Sequence, residues 1–336
     1  MYPRLPHHPA MDRRRFLLTS LAGAVAAPLA VTADQAGKHT IGVLHLGSAA
    51  GLRPYLDAFR EGLRERGYVE GDSVAIELRS ADDQADRLPV RVAELLALKV
   101  RVIVTSGTTS IQAAKDATKT TPIVIAAGAD PVVMGFAQSL ARPGGNITGL
   151  SILGRDFFQK RLELLRQAAP QTKIAALLLH AANPGNPVFV EALTTAASSL
   201  GLQSHVVAVR TANDLADAFA ATARAKADAL VVIEDPSFVA HAKRIADLAL
   251  NHRLPTMLGN RLFVHAGGLM AYGLVYEDLW RRAATYVDRI LKGANPADMS
   301  IEQPNKFDLT INLKTAKALG LTIPPSLLLR ADQVIE

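Results

Sequence analysis

The sequence predicts an α/β protein whose parallel, doubly wound sheets are divided between two lobes. Three observations carry that reading. Short apolar runs alternate with amphipathic stretches along most of the chain, the pattern of strands buried on both faces and covered by helices. The alternation runs through once, is broken at Pro143-Gly144-Gly145, and then starts again. A chain of 336 residues, 49% hydrophobic and 20% charged, has ample apolar material for two medium lobes, which suit it better than one sheet of about ten strands.

The N-terminal stretch is read apart from the fold. Arg13, Arg14 and Arg15 precede an apolar run over 17–29, and small residues at 31–33 are followed by Asp34. This is the layout of an export signal, and Arg13-Arg14 followed by Arg15-Phe16-Leu17 resembles the twin-arginine type. The run is shorter than the ~20 residues needed to span a bilayer, so residues 1–33 are expected to be cleaved on export. Residues 1–10 fit no export signal, and translation is expected to start at Met11. Removing 1–33 takes with it Arg4, Arg13, Arg14 and Arg15 against Asp12, and lowers the formal charge from +6 to +3. No dense Lys/Arg cluster with interleaved aromatics remains, so nucleic acid is not an expected partner. The chain has no Cys, which excludes disulfides, thiolate catalysis, iron–sulfur clusters and a lipid-modified N-terminal Cys.

In the first lobe a strand is expected over 40–46, followed by a small polar loop at 47–51. The next helix, to 66, places Leu52, Leu56, Phe59 and Leu63 on one face and ends at Gly67. A strand over 73–79, a helix over 83–98, a strand over 101–105 and a helix to 119 follow. After the strand at 123–127, Asp130 suits an N-cap and Pro131 the first turn of a helix reaching Arg142. A strand at 146–150 closes the series. In the second half strands are expected over 173–179, 204–209, 229–233, 256–258 and 269–272. Helices are expected over 187–200, 213–224, 237–251 and 261–266. A long amphipathic helix over 277–292, a strand over 308–312 and a short helix over 314–319 complete the chain.

The loops at the carboxyl ends of the strands are small and polar, and such ends carry the ligand sites of open α/β sheets. In the first lobe they offer Gly47, Ser48, Ser106, Gly107, Thr108 and Asp130; in the second, Asn183, Asp235, Asn260 and Tyr272. Hydroxyls and free helix-start amides hold carboxylates, and Asp130, Glu234 and Asp235 can pair with an ammonium group. The same residue types also cap helices wherever a strand leads into one. Tyr272, Tyr276, Phe238 and Phe263 can stack on a ligand or pack in the core. The histidines, His45 among them, are scattered. No Walker A, G-x-S-x-G, H-E-x-x-H or G-x-G-x-x-G fingerprint is present, so no catalytic residue, metal or cofactor is expected.

With these residues in view, the chain resembles the substrate-binding proteins of bacterial ABC transporters. The carriers are Gly67-Tyr68-Val69-Glu70-Gly71, Asp130-Pro131-Val132, the run from Ala141 to Gly149, the run from Gly267 to Gly273, and the tail from Asn312 to Leu321 with Ile323-Pro324-Pro325. The resemblance implies a type I periplasmic-binding-protein fold: two Rossmann-like lobes, a hinge of three crossings and a ligand between the lobes. It implies lobe one at 34–150 plus 275–298 and lobe two at 151–274 plus 299–336. It also implies a monomeric periplasmic receptor for a small polar solute, amino-acid-like in some relatives, with an inner-membrane ABC permease as partner. Two departures stand out: Ala271 where many members have Ser, and His180-Ala181-Ala182 in place of the first half of an Asn-Pro-x-Asn-Pro pattern. A sensing subunit shares this fold and ligand step; an exported α/β enzyme is the rival of another class.

Overall fold

The computed structural model describes residues 38–152 and 155–336. The export signal expected at 1–33 and the start at Met11 lie outside the described residues.

In chain order the first lobe holds β1 (His39–His45), α1 (Ala49–Arg64), β2 (Val74–Ser80), α2 (Leu88–Ala97), β3 (Val102–Ser106), α3 (Thr108–Ala117), β4 (Ile123–Ala127) and β5 (Ile147–Gly149). These strands form one parallel sheet of order β2-β1-β3-β4-β5. The chain then crosses to α4 (Arg155–Ala168), β6 (Ile174–His180), α5 (Asn186–Ser199), β7 (Gln203–Val209), α6 (Leu215–Arg224), β8 (Ala229–Val232), α7 (Pro236–Val239), α8 (Ala242–Asn251), β9 (Thr256–Leu258), α9 (Arg261–His265) and β10 (Met270–Leu274). A second crossing leads to α10 (Tyr276–Leu291), which packs on α1 of the first lobe. A third returns to β11 (Phe307–Asn312), α11 (Leu313–Ala318), α12 (Pro325–Leu328) and β12 (Gln333–Ile335).

The apolar runs form strands because both faces of each sheet are covered. Residues of β3 and β4 are buried along their full lengths. One side chain set packs under α1 and α10, the other under α2 and α3. Leu52, Leu56, Phe59 and Leu63 of α1 are all buried, as their spacing requires, and Phe59 meets the fully buried Trp280 edge-on at 6.3 Å. The second sheet has order β12-β11-β10-β9-β8-β6-β7 and is parallel except between β10 and β11. That exception follows from the path. The chain leaves β10 at Leu274 and re-enters at Phe307, its register partner, so β11 must run back from the cleft end. The first and third crossings are tied together: Ser151 N–H donates to Glu302 O at 2.8 Å, and Thr148 Oγ1 donates to Met299 O at 2.7 Å.

Four expectations need correction. No helix runs from Pro131 to Arg142. Asp130 Oδ1 does accept from the amides of Val132 and Val133, but Gly135 turns left-handed (φ +65°) and Phe136 N–H folds back onto Pro131 O. One turn forms, and Phe136 then plugs into the core below. The helix expected over 237–251 is two, α7 and α8, separated at His241. Helix α4 was not expected, because it follows a crossing rather than a strand and its buried face carries a charge, Arg161. The short tail elements α12 and β12 were also not expected; β12 is held by pairing with β11 rather than by its own pattern.

Candidate functional site

The carboxyl ends of both sheets face a cavity of about 360 Å³ between the lobes. The lobes are in contact around it. Asn260 Nδ2 donates to Tyr55 OH at 2.6 Å, and His241 Nε2 lies 3.0 Å from Asp83 Oδ2. Gly107 has φ +80°, and a Cβ there would sit 2.6 Å from Pro236 Cγ of the other lobe. Only glycine lets the two loops close to this distance.

Of the ten site residues read from the sequence, six line the cavity: Ser106, Gly107, Thr108, Asp130, Asp235 and Asn260. Gly47 and Ser48 stand just outside it, Asn183 lies behind Asp235, and Tyr272 is stacked in the second lobe against Phe307 at 5.5 Å. Most of the polar ones are capping residues. Ser48 accepts from Gly51 N–H at 3.2 Å, Asn260 Oδ1 from Leu262 N–H at 3.0 Å, and Asp235 Oδ1 from Ser237 N–H at 3.0 Å and Ser237 Oγ–H at 2.7 Å. Asn183 completes Asp235, donating Nδ2–H to Oδ2 at 2.9 Å.

The start of α3 is built differently. Its N-cap is Gly107, which has no side chain to offer, so the first-turn amides keep free donors. Ser106 and Thr108 are buried beside it in the cavity wall, with no protein partner for either hydroxyl among the described residues. An uncapped N-terminus flanked by two hydroxyls can receive a carboxylate, and the helix dipole adds ~0.3–1 kcal/mol at such a site.

The rest of the wall is largely aromatic. Phe157, Phe158 and Phe189 come from the second lobe, with Phe157–Phe158 centroids 5.5 Å apart and Phe158–Phe189 5.9 Å apart. Tyr55 and Tyr276, 5.8 Å apart, and Trp280 come from the first. Phe157, Phe158, Phe189, Tyr55, Trp280 and His45 were missed from the sequence; Tyr276 and Phe263, noted there as possible stacking residues, do line the cavity. The Phe157-Phe158 pair carried a signal, since two adjacent aromatics in an otherwise charged stretch are unusual for a solvated helix.

Comparison with known proteins places this geometry. The family model described as ABC transporter substrate binding protein matches residues 40–335. The chain belongs to that family. A chain from Streptococcus pneumoniae described as an ABC domain in complex with L-Trp is 28% identical, with 89% of this chain and 100% of its own covered, and superposes with a TM-score of 0.83. The ligand-free, open structure of a Clostridium difficile substrate-binding protein with adhesive properties is 26% identical and covers 88% of this chain and 99% of its own, yet its TM-score is 0.62. A tyrosine-binding protein of Clostridioides difficile strain R20291 is 26% identical over 290 residues, covering 86% of this chain and 83% of the relative. The fold is that of the type I periplasmic binding proteins. Among the described residues of this substrate-binding protein no helix is long and apolar enough to cross a membrane, and no group of three or more His, Asp or Glu is placed to hold a metal ion.

Burial sets the electrostatics of this substrate-binding protein's cleft. His45 is 2% exposed with no partner for either ring nitrogen among the described residues. Desolvation pulls its pKa down to about 4, with Asp82 opposing, so the cleft holds a neutral imidazole at neutral pH. Burial pushes the phenols of Tyr55 and Tyr276 up, which keeps them as hydroxyls. Arg161, fully buried behind the aromatic wall, is pulled down to about 9 by burial and remains a cation at neutral pH.

Proposed function

We propose that this chain is an exported receptor that captures an aromatic amino acid between its lobes and delivers it to an inner-membrane ABC permease. The observation that carries the reading is one cavity combining an uncapped helix start, two unpaired hydroxyls and an aromatic wall. The first two suit an α-carboxylate; the last suits a ring, whose edge and face contacts with neighbouring aromatics are worth about 0.5–1.5 kcal/mol per pair. Among the wall carboxylates, Glu234 keeps an exposed oxygen beyond its ion pair with Arg161 and is the partner for an α-ammonium, whereas Asp130 serves as a cap. The better superposition on an L-Trp complex than on an open, ligand-free relative, at nearly equal identity, supports reading this arrangement as the ligand-bound one. The tyrosine-binding relative supports the same ligand class. Closure by hinge motion through the three crossings is the expected ligand response. The twin-arginine layout of residues 1–33 supports export to the periplasm.

The test is calorimetric titration of the mature chain with L-Trp, L-Tyr and L-Phe, beside their decarboxylated amines. Binding of at least one amino acid at micromolar Kd is expected, with a raised melting temperature, because a ligand held only by the folded state stabilises it. The amines, lacking the group that α3 holds, should bind at least tenfold more weakly. No thermal shift with any of the three amino acids at millimolar concentration would sink the proposal.

A further inference from the structure

Arg161 sits on the buried face of α4 among Phe157, Phe158, Leu162 and Leu165, with 0% of its side chain exposed. Burying a guanidinium costs several kcal/mol unless its donors are satisfied, so the position calls for a reason. Nε–H donates to Tyr272 O at 2.9 Å, Nη2–H donates to Glu234 Oε1, and the guanidinium carbon lies 3.8 Å from the centroid of the Phe157 ring. Nη1 has no partner among the described residues. Glycine at 259 leaves room for the pair in this arrangement. A Cβ there would collide with both Glu234 Oε1 and Arg161 Nη2.

Arg161 does not line the cavity, but the two groups it holds do. The other carboxylates of the wall each serve a local partner. Asp235 has 1% side-chain exposure and both oxygens filled. Asp130 turns Oδ1 to the amides of Val132 and Val133, at 2.9 and 3.3 Å, and Glu191 is already engaged. Glu234 keeps 21% of its side chain exposed and has one oxygen beyond the ion pair with Arg161.

We propose that Glu234 receives the ligand's ammonium group and that Arg161 is a positioning residue, fixing the Glu234 carboxylate and the Phe157 ring against the ligand. The proposal rests on the aromatic amino-acid reading above. One Glu234 oxygen stays on the guanidinium while the other meets the ammonium, so the ligand need not displace the buried cation. The charge of Glu234 is balanced by Arg161, which leaves the cleft matched to a zwitterion whose carboxylate lies at α3. The stacked guanidinium holds Phe157 by a cation–π contact as well as by packing.

The test compares L-Trp with indole-3-propionate, the same ring and carboxylate without the ammonium, on the wild type, Glu234→Gln, Arg161→Gln, Arg161→Lys and the double Gln variant. Calorimetry gives the preference for L-Trp and melting curves give stability. The wild type should prefer L-Trp by about tenfold or more, the worth of a hydrogen bond between charged groups. Glu234→Gln should reduce that preference to threefold or less. Arg161→Gln should do the same, with no further loss in the double variant, because Arg161 acts through Glu234. Arg161→Lys should restore part of the preference. A wild-type preference retained in Arg161→Gln, with only a lowered melting temperature, would reduce Arg161 to a structural residue; a preference retained in Glu234→Gln would remove the ammonium site. Should Arg161→Gln fail to fold, Glu234→Gln and Arg161→Lys decide between the same outcomes. Where the wild type binds L-Tyr or L-Phe instead of L-Trp, that amino acid and its matching arylpropionate take the place of this pair; a wild type that binds none of the three amino acids overturns the aromatic amino-acid reading itself, and this assignment with it.

Discussion

The loop at 106–109 and the loop at 47–51 occupy matching places in one sheet, yet they use the same chemistry in opposite ways. Both follow a buried parallel strand and open a helix, and both offer Gly and hydroxyl residues. Ser48 turns its oxygen back to Gly51 N–H and closes its own helix start. At 106–109 the cap position is glycine, and the hydroxyls of Ser106 and Thr108 face the cavity instead. The loops at Asp130, Asp235 and Asn260 follow the first pattern, all with a side-chain oxygen on a nearby amide. A polar strand-end residue is therefore evidence for a ligand only when it is not spent as a cap. At the cap position the two loops differ as Gly107 against Ser48.

The strongest way to break this comparison is Gly107→Ala. The added Cβ would overlap Pro236 across the cleft and would also occupy a left-handed backbone. Overpacking costs about 1–3 kcal/mol; felt only in the closed form, it should weaken ligand binding by up to about a hundredfold, read by calorimetry. The left-handed strain, ~1–2 kcal/mol, acts on both forms and should appear in the melting curve. Undiminished affinity would mean that the lobes need not approach at Gly107.

A smaller effect sharpens the contrast directly. On the proposed reading, in which their hydroxyls serve the ligand carboxylate and no protein group, Ser106→Ala and Thr108→Val should each lower affinity roughly tenfold at little cost in stability. Ser48→Ala and Asp130→Ala should do the reverse, losing about 1 kcal/mol of stability as broken caps with affinity nearly intact. A binding loss in Asp130→Ala as large as that in Ser106→Ala would return Asp130 to the ligand contacts.

The smallest expected effect near neutral pH is a pH dependence from His45. Its pKa is about 4 buried in this cleft against 6.5 for a free imidazole, so if opening the cleft hydrates the ring, a proton binds the open form in preference. Affinity should thus be full above pH 6.5 and erode as pH falls from there towards 4, by about fourfold at pH 6. His45→Gln should flatten the profile between pH 5 and 7. An unchanged slope in that variant would assign the dependence to another group.

Much of this architecture was legible from periodicity. The strands β1, β3, β4, β6 and β8 are apolar runs buried on both faces, and α1 and α10 show clean helical spacing, because local pattern and tertiary burial agree there. The reading went astray where local signals compete. Asp130-Pro131 has the form of a helix start, but Gly135 and the burial of Phe136 end it after one turn. Helix α4 was obscured by a charge on its buried face, and that charge is the one holding Glu234 and Phe157.

The sequence by itself determined two α/β lobes, the row of small polar loops at the strand ends and the likeness to a substrate-binding family. Those follow from short-range rules: period, turn residues and caps within a few positions. Only the tertiary structure decided which polar residues are free, because a cap and a ligand contact use the same atoms and differ only in where they point. It also decided the aromatic wall, assembled from α1, α4, α5 and α10, and the pairing of Arg161 with Glu234, 73 positions apart. Contacts at such separation depend on how the lobes and their helices pack, and no local pattern encodes them.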